Sequence, residues 1–305
     1  MIIKYGLLNN SIDITDICLK KLLKNNKIII PSNDHCRSYY FGDPLYRTLK
    51  SIIVYYGNKF QVFSHEYLVI IDINNNTVSS LLDNVLDENQ IFKKLAFLHS
   101  KLQIKHGSFN EEYPEQKMVV KYLQGHEKVL EIGGNIGRNS LIISSILESN
   151  KNFNYVVLEC DPNIANQLKE NRDINGLNFI VELSALSKRK LIQRGWDTIP
   201  SDVLLNGYNW INTLTFEELK NKYNINFDTL IIDCEGAFYY ILMDMPEILD
   251  NISLIIMEND YQNIEHKNYV DNKMLANGFI RVYLEAGGWG PCFNNFFEVW
   301  KKFNI

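Results

Sequence analysis

The chain has 305 residues, 46% of them hydrophobic and 22% charged, with a formal net charge of −5 at pH 7. That length is enough for a full core and is expected to divide into two domains, with the composition of a globular protein. The acidic balance argues against the broad basic surface that a nucleic-acid partner needs, and no apolar run approaches the roughly 20 residues of a membrane-spanning helix.

The first 80 residues are punctuated by Gly, Asn and Asp between short runs rich in β-branched and aromatic residues, at 27–31, 51–56, 61–63 and 67–73. Thr15-Asp16 is placed to cap a short helix running through Lys24. This stretch reads as a β-rich accessory domain, sandwich-like, expected to serve as scaffold or oligomer contact, with sugar binding as the alternative. The segments Lys4-Tyr5-Gly6 and Phe41-Gly42-Asp43-Pro44, with the apolar run at 51–56, resemble rhamnose-binding lectin modules in these few positions only, without their disulfide cysteines.

Residues 81–112 read as a helical linker, with Leu81, Leu82, Val85, Leu86, Ile91, Leu95 and Leu98 forming an approximate apolar stripe. A polar hinge at 107–115 precedes a helix at 116–123. Tyr113 or Glu115 is a candidate to fold over a ligand; a plain linker is the alternative.

The most informative stretch is Val129-Leu130-Glu131-Ile132-Gly133-Gly134-Asn135-Ile136-Gly137-Arg138, read as a buried strand, a glycine-rich turn and a helix start. Its glycines miss the G-x-G-x-x-G spacing of a dinucleotide site. A carboxylate at Glu131 would repel a pyrophosphate held at the helix N-terminus, but would attract the cationic amine and sulfonium of S-adenosylmethionine (SAM). Gly133, Gly134, Asn135 and Gly137 are therefore expected to cradle SAM, with Glu131 beside them.

A second apolar strand ends at Glu159-Cys160-Asp161-Pro162. An acid at that place hydrogen-bonds ribose hydroxyls in doubly wound folds, which suits Glu159; Asp161 is the other cofactor candidate there, and Asp161-Pro162 also starts a helix. A third strand at 178–187 brings Ser184 and Ala185 beside the adenine. The basic run Lys188-Arg189-Lys190 with Arg194 reads as a solvated loop. A fourth strand ends in Asp233-Cys234-Glu235-Gly236-Ala237, and a fifth in Glu258-Asn259-Asp260. Continuous apolar strands alternating with helices argue for a parallel sheet covered on both faces, with ligands beyond its carboxyl edge, where these acids fall.

Residues 268–277 read as a helix stopped by Gly278, and 279–284 and 295–300 as strands flanking Ala286-Gly287-Gly288-Trp289-Gly290-Pro291. They would supply the antiparallel last strand that a methyltransferase adds to a doubly wound sheet. Trp289 could stack on a sugar face or simply pack in its loop. Cys18, Cys36, Cys160, Cys234 and Cys292 form an odd, scattered set with no C-x-x-C pair, so neither a disulfide framework nor a zinc site is expected. The start Met1-Ile2-Ile3-Lys4-Tyr5-Gly6 is too short and too polar afterwards for a signal peptide, and a cytoplasmic location is expected.

The run Glu131-Ile132-Gly133-Gly134-Asn135-Ile136-Gly137, the Ser184-Ala185-Leu186-Ser187 segment and Ile232-Asp233-Cys234-Glu235-Gly236-Ala237 together resemble the FkbM family of SAM-dependent methyltransferases over about residues 110–305. Phe238 stands where that family often has a second acid, and Gly134 where it has alanine. The resemblance implies an O-methyltransferase acting on a hydroxyl of a sugar, glycoconjugate or small metabolite. The expected architecture is α/β, a Rossmann-like methyltransferase sheet over 113–305 beside the β-rich domain of 1–80.

Methyl transfer to a hydroxyl needs alignment, exclusion of water and a base. Glu235 is the first candidate for acceptor contact or base, with Asp233 next to the methyl donor and Glu258 second; Asp260 and His266, the latter placed in a loop, stand nearby. No ligand spacing demands a metal, although the converging carboxylates and Asn259 could hold Mg²⁺. Two other readings stay open: a methyltransferase-like binding protein without turnover, and a nicotinamide-dependent oxidoreductase.

Overall fold

A computed structural model describes residues 1–82 and 86–303. The chain divides into two compact units: Met1–Asn84 with Met274–Leu284 and Glu298–Ile305, and Val85–Lys273 with Glu285–Phe297. The fold is α/β, a Rossmann-like parallel sheet flanked by helices, with an additional β-rich unit.

The larger unit is built on five parallel strands in the order Ile180–Glu182, Tyr155–Leu158, Val129–Ile132, Thr229–Ile232, Leu254–Glu258. Leu130 lies opposite Val156 on one side and Leu230 on the other. The three central strands are buried along their whole length, as continuous apolar sequence predicts for a sheet covered on both faces. Strand order reverses direction at Val129–Ile132: the chain builds outward through the second and third strands, then returns to add the fourth on the opposite side. Such a switch point opens a crevice beyond the strand ends.

Local chemistry fixes the turns at that edge. Gly133 has φ +91°, and a Cβ there would lie 1.6 Å from the Asp233 carbonyl oxygen, so only glycine lets the first turn approach the loop after the fourth strand. Helix Pro162–Asp173 starts as the sequence predicts, with Pro162 in its first turn and Asp161 accepting from the Asn163 and Ile164 amides.

The segment before the sheet is pinned to the glycine turn. Asn171 Oδ1 accepts from the Lys105 and His106 amides, while its Nδ2 donates to the carbonyls of His106 and Ile136. Gln116 donates to the Phe109 and Glu111 carbonyls and pairs with His99, which stacks on Phe109. Helix Tyr113–Tyr122 starts three residues earlier than the sequence reading, at the left-handed Glu112.

Other elements differ from expectation. Leu81 and Leu82 end a strand, Thr77–Leu82, and are exposed; Val85 lies outside the described residues. The helix begins at Glu88, where Asp87 and Gln90 form a capping box, and buries only Ile91 and Leu95. Thr15 does not cap: its hydroxyl accepts from the Ile3 amide, and the helix Thr15–Lys21 stops before a two-residue strand, Leu23–Lys24. The third strand ends at Glu182, and Ala185–Leu186 pairs instead with Thr213–Leu214. Between them stands an antiparallel three-strand flap, Leu191–Arg194, Asp197–Pro200 and Asn209–Ile211. Its turn is Gly195-Trp196 with Gly195 at φ +57°, where the sequence reading saw only a loop.

The smaller unit carries two four-stranded antiparallel sheets, as the sandwich-like reading expected. Ile3, Tyr5, Ile52 and Val54 from one sheet and Ile28, Ile30, Val69 and Ile71 from the other share one core cluster at the two-residue spacing of strands. The buried Arg281–Glu298 pair at 2.8 Å, with the guanidinium over the Trp300 ring, belongs to the same unit.

Because Asn171 satisfies four backbone groups at once, Asn171→Ala should cost about 2–4 kcal/mol by leaving several of them unpaired. Urea unfolding would measure it, and limited proteolysis should show new cleavage near residues 103–110.

Candidate functional site

A cavity of about 630 Å³ opens at the switch point, within the usual range for a small-molecule site. Its floor is the glycine turn (Gly133, Asn135), its sides are the ends of the second and fourth strands (Glu159, Asp233), and Ser184 and Ala185 close one end. Glu235, Asp260 and His266 also line it. Trp196 from the flap and Trp289 from the Gly-Trp-Gly loop stand at the wall, 63% and 45% exposed.

The candidate residues play different parts. Glu159 is nearly buried and ties two elements together: one carboxylate oxygen accepts from the Asn135 amide and the other from the Asp161 amide, each at 2.9 Å. Burial raises its pKa, and those two amides hold it back. Each oxygen keeps a lone pair for a further donor. The Ser184 hydroxyl is 1% exposed, lines the cavity and has no hydrogen-bond partner.

Glu131 does not line the large cavity. Its Oε2 accepts from the Ser140 hydroxyl at 2.5 Å and from the Tyr155 hydroxyl. Burial pushes its pKa up to about 7, against the pull of those two donors. Its charge is spent inside the sheet, and its influence on a ligand runs through the strand and helix it joins. Asp161 likewise faces its helix as the cap and is not part of the wall. Gly134 and Gly137 serve packing, since a Cβ at either would press on Val157 or Leu168 at 2.1 and 2.3 Å. Gly133 and Asn135 remain the turn's cavity-facing residues.

The acids after the fourth and fifth strands converge. Asp233, Glu258 and Asp260 each offer an oxygen within 4.8 Å of the others. Burial, then the neighbouring carboxylates, hold Asp233 and Asp260 above the usual carboxylate range. Glu258 is raised by burial, then by Glu115 and Asp233; it lines a small void behind the cavity with Glu115 and Glu131, not the cavity itself. Glu235 stands at φ +52° on the exposed rim, its pKa raised by burial of part of its side chain and by Asp260. Burial pushes the Cys160 thiol up to about 12 and raises that of Cys234 as well, which disfavours the thiolate at both.

Several wall residues escaped the sequence reading. Arg189 lies in a loop between exposed Lys188 and Lys190, as read, but is also paired: its Nε and Nη2 bond the two oxygens of Asp244 at 2.6 and 2.8 Å, with the guanidinium 5.3 Å from the Tyr240 ring centre. Nothing local in the sequence announces a partner 55 residues away. His266 lies in the first turn of helix Ile264–Ala276, not a loop, and stacks on Tyr239 at 3.8 Å. The flap itself left little signal: Leu191-Ile192-Gln193-Arg194 does not alternate, and only Gly195 marks the turn.

No protein-family model matches the chain, and no curated protein matches it by sequence. Solved structures resemble it at low identity. The ribosomal protein L11 methylase of Lactobacillus delbrueckii subsp. bulgaricus is 9% identical over 66% of this chain and 82% of its own, with a TM-score of 0.42. The Aeropyrum pernix fibrillarin, solved with SAM, is 8% identical over 81% and 97%, TM-score 0.39. An O-methyltransferase from Bacillus cereus, in complex with SAH, is 14% identical over 71% and 92%, TM-score 0.38. At these values the likenesses assign no activity to this chain. Among the described residues, no helix is long and apolar enough to cross a membrane.

Glu131 provides a pH test of the site's interior. Its folded pKa of about 7 lies above the ordinary glutamate value of 4.5, so the folded state holds the proton more tightly. The favourable contribution is complete below about pH 4.5 and is lost as pH rises through 7, by at most about 3 kcal/mol. Urea unfolding of wild type should weaken between pH 5 and 8, and Glu131→Gln should flatten that dependence.

Proposed function

We propose that the chain is a SAM-dependent O-methyltransferase, of the kind the FkbM-like motifs imply. The observation that carries the reading is a cavity at the sheet's switch point whose lining includes the carboxylates of Glu159, Asp197, Asp233, Glu235, Asp244 and Asp260, while among the described residues no Lys lines it and its one arginine, Arg189, is already paired to Asp244. The residues fit such a ligand on three counts. The Ser184 hydroxyl is a buried donor lacking a partner, the Gly133 turn is a backbone cradle that a side chain would fill, and the volume suits a nucleoside-sized molecule.

SAM, when bound, supplies a methyl group activated by a positively charged sulfur. Glu159 would take the ribose hydroxyls on its free lone pairs, and Ser184 and Ala185 would border the adenine. Gly133 and Asn135 would support the ligand from the turn, and Asp233 would stabilise its positive charge. Glu131 would act at one remove, by fixing the first strand against helix Arg138–Ser149.

For the acceptor, Glu235 is the candidate base because, of the acids that end the fourth and fifth strands, it is the exposed one. Asp233 and Glu258 are weaker candidates, since both are less exposed than Glu235 and Glu258 does not line the cavity. The exposed rings of Trp196 and Trp289 support an acceptor with a flat or sugar-like face, a hydroxyl of a sugar, glycoconjugate or small metabolite. A small-molecule partner in a cytoplasmic setting, and no nucleic acid, fits the net charge of −5.

The crowding of Asp233 by burial and by neighbouring acids, Asp260 first, which raises its pKa, favours one second reading, a SAM-binding protein without turnover. Two measurements separate them. Calorimetry should find SAM binding that Glu159→Ala weakens by about 1.5–3 kcal/mol, roughly tenfold to a hundredfold; unchanged affinity would remove Glu159 from the site. Incubation with methyl-labelled SAM and a panel of sugars, nucleotide sugars and phenols should give a labelled product. Glu235→Gln should lower its rate by about 10²–10⁴-fold at nearly unchanged SAM affinity. Binding without any product across the panel would favour the second reading.

A further inference from the structure

Behind the cavity wall, the ends of the fourth and fifth strands bring the carboxylates of Asp233, Glu258 and Asp260 to within 4.8 Å of one another. No Lys or Arg side chain forms an ion pair with any of the three among the described residues. Arg138 is paired with Glu111 and Glu112, Lys117 with Glu285 and Lys267 with Asp271.

A fourth carboxylate closes the cluster from a separate element. Glu115, in the first turn of helix Tyr113–Tyr122, lies against Glu258, is 8% exposed, and leaves Oε2 without a hydrogen-bond partner. Asp260, 6% exposed, leaves Oδ2 unpartnered in the same way, and between the two acids of the fifth strand the fully buried Asn259 has an unpartnered Oδ1. Buried oxygens with no donor are costly, and buried carboxylates with no counter-charge more so. Asp260 and Glu115 are buried and Asp233 and Glu258 half-buried, so the cluster is only partly open to solvent.

We propose that Asp233, Glu258 and Asp260, backed by Glu115, form a binding site for one divalent cation, of the Mg²⁺, Mn²⁺ or Ca²⁺ class. The donor set is all oxygen, the set hard cations take. Oxygens on opposite sides of such an ion are about 4–5 Å apart, twice a metal–oxygen distance, which matches the spread of the cluster. Asp233 and Asp260 also line the large cavity, so the ion would be reachable from it and would present open positions to a ligand with two neighbouring oxygens, such as a vicinal diol or hydroxy acid. With Asp233 occupied in this way, Glu235 is left as the acid free to accept a proton. The site goes beyond the methyl-transfer reading and stands without it.

The test uses the full chain, stripped with a chelator and titrated with Mn²⁺ in the absence of SAM. Calorimetry and the loss of the free-ion electron paramagnetic resonance signal should give one ion per chain. Asp260→Asn and Glu258→Gln should each weaken binding at least tenfold. Mn²⁺ should raise the melting temperature of wild type and much less that of the variants. Both variants relieve repulsion, so without metal they should melt at or above the wild-type temperature, which separates lost ligation from lost folding. Wild type that takes up no Mn²⁺ at millimolar concentration, or variants that bind it as tightly, would overturn the site. Because no step uses SAM, either result leaves the methyl-transfer reading to its own experiments.

Discussion

The structure is organised by carboxylates gathered at the open edge of one parallel sheet. Glu159 closes the second strand, Asp233 and Glu235 follow the fourth, and Glu258 and Asp260 follow the fifth. Helix Tyr113–Tyr122 adds Glu115 from outside the sheet. Burial and mutual repulsion raise the pKa values of Glu159, Asp233, Glu235, Glu258 and Asp260. An edge built this way stores unfavourable electrostatic energy that positive charge relieves. That single property makes a sulfonium ligand suit the cavity and a metal ion suit the void behind it.

The edge keeps its shape because its loops are locked by contacts that do not depend on a ligand. Gly133 brings the first turn against the Asp233 carbonyl. Glu159 ties the turn to the start of the next helix. Asn171 fastens the preceding segment to the turn, and Arg138 clamps Glu111 and Glu112 at the foot of helix Tyr113–Tyr122. A site preorganised in this way spends little of its binding energy on ordering the protein. The flap carrying Trp196 is the contrasting element, a small three-strand sheet whose exposed ring lines the cavity.

The parallel sheet was legible because its strands are uninterrupted apolar runs, each ended by an acid or a glycine turn, and that pattern has few structural solutions. The positions of Glu159, Asp233 and Ser184 on the cavity wall followed from it. What could not be read was the face each side chain takes. A strand covered on both sides gives no polar alternation, so Glu131 looked like a ligand-facing acid when it points at Ser140 and Tyr155. Asp161 had two possible uses, and the short carboxylate went to its helix cap. Pairings distant in sequence, such as Arg189 with Asp244 or Glu115 with Glu258, leave no local trace. In the β-rich unit the two-residue spacing of Ile3 and Tyr5 or Val69 and Ile71 was readable, whereas the strand at 77–82 was hidden by leucines that also suit a helix.

The central claim is that the acidic edge selects a cationic methyl donor over a phosphate-bearing coenzyme. Equilibrium dialysis of the full chain against SAM and NAD in competition tests it most directly. The account predicts saturable retention of SAM that excess NAD does not displace; retention of NAD in preference to SAM would contradict it.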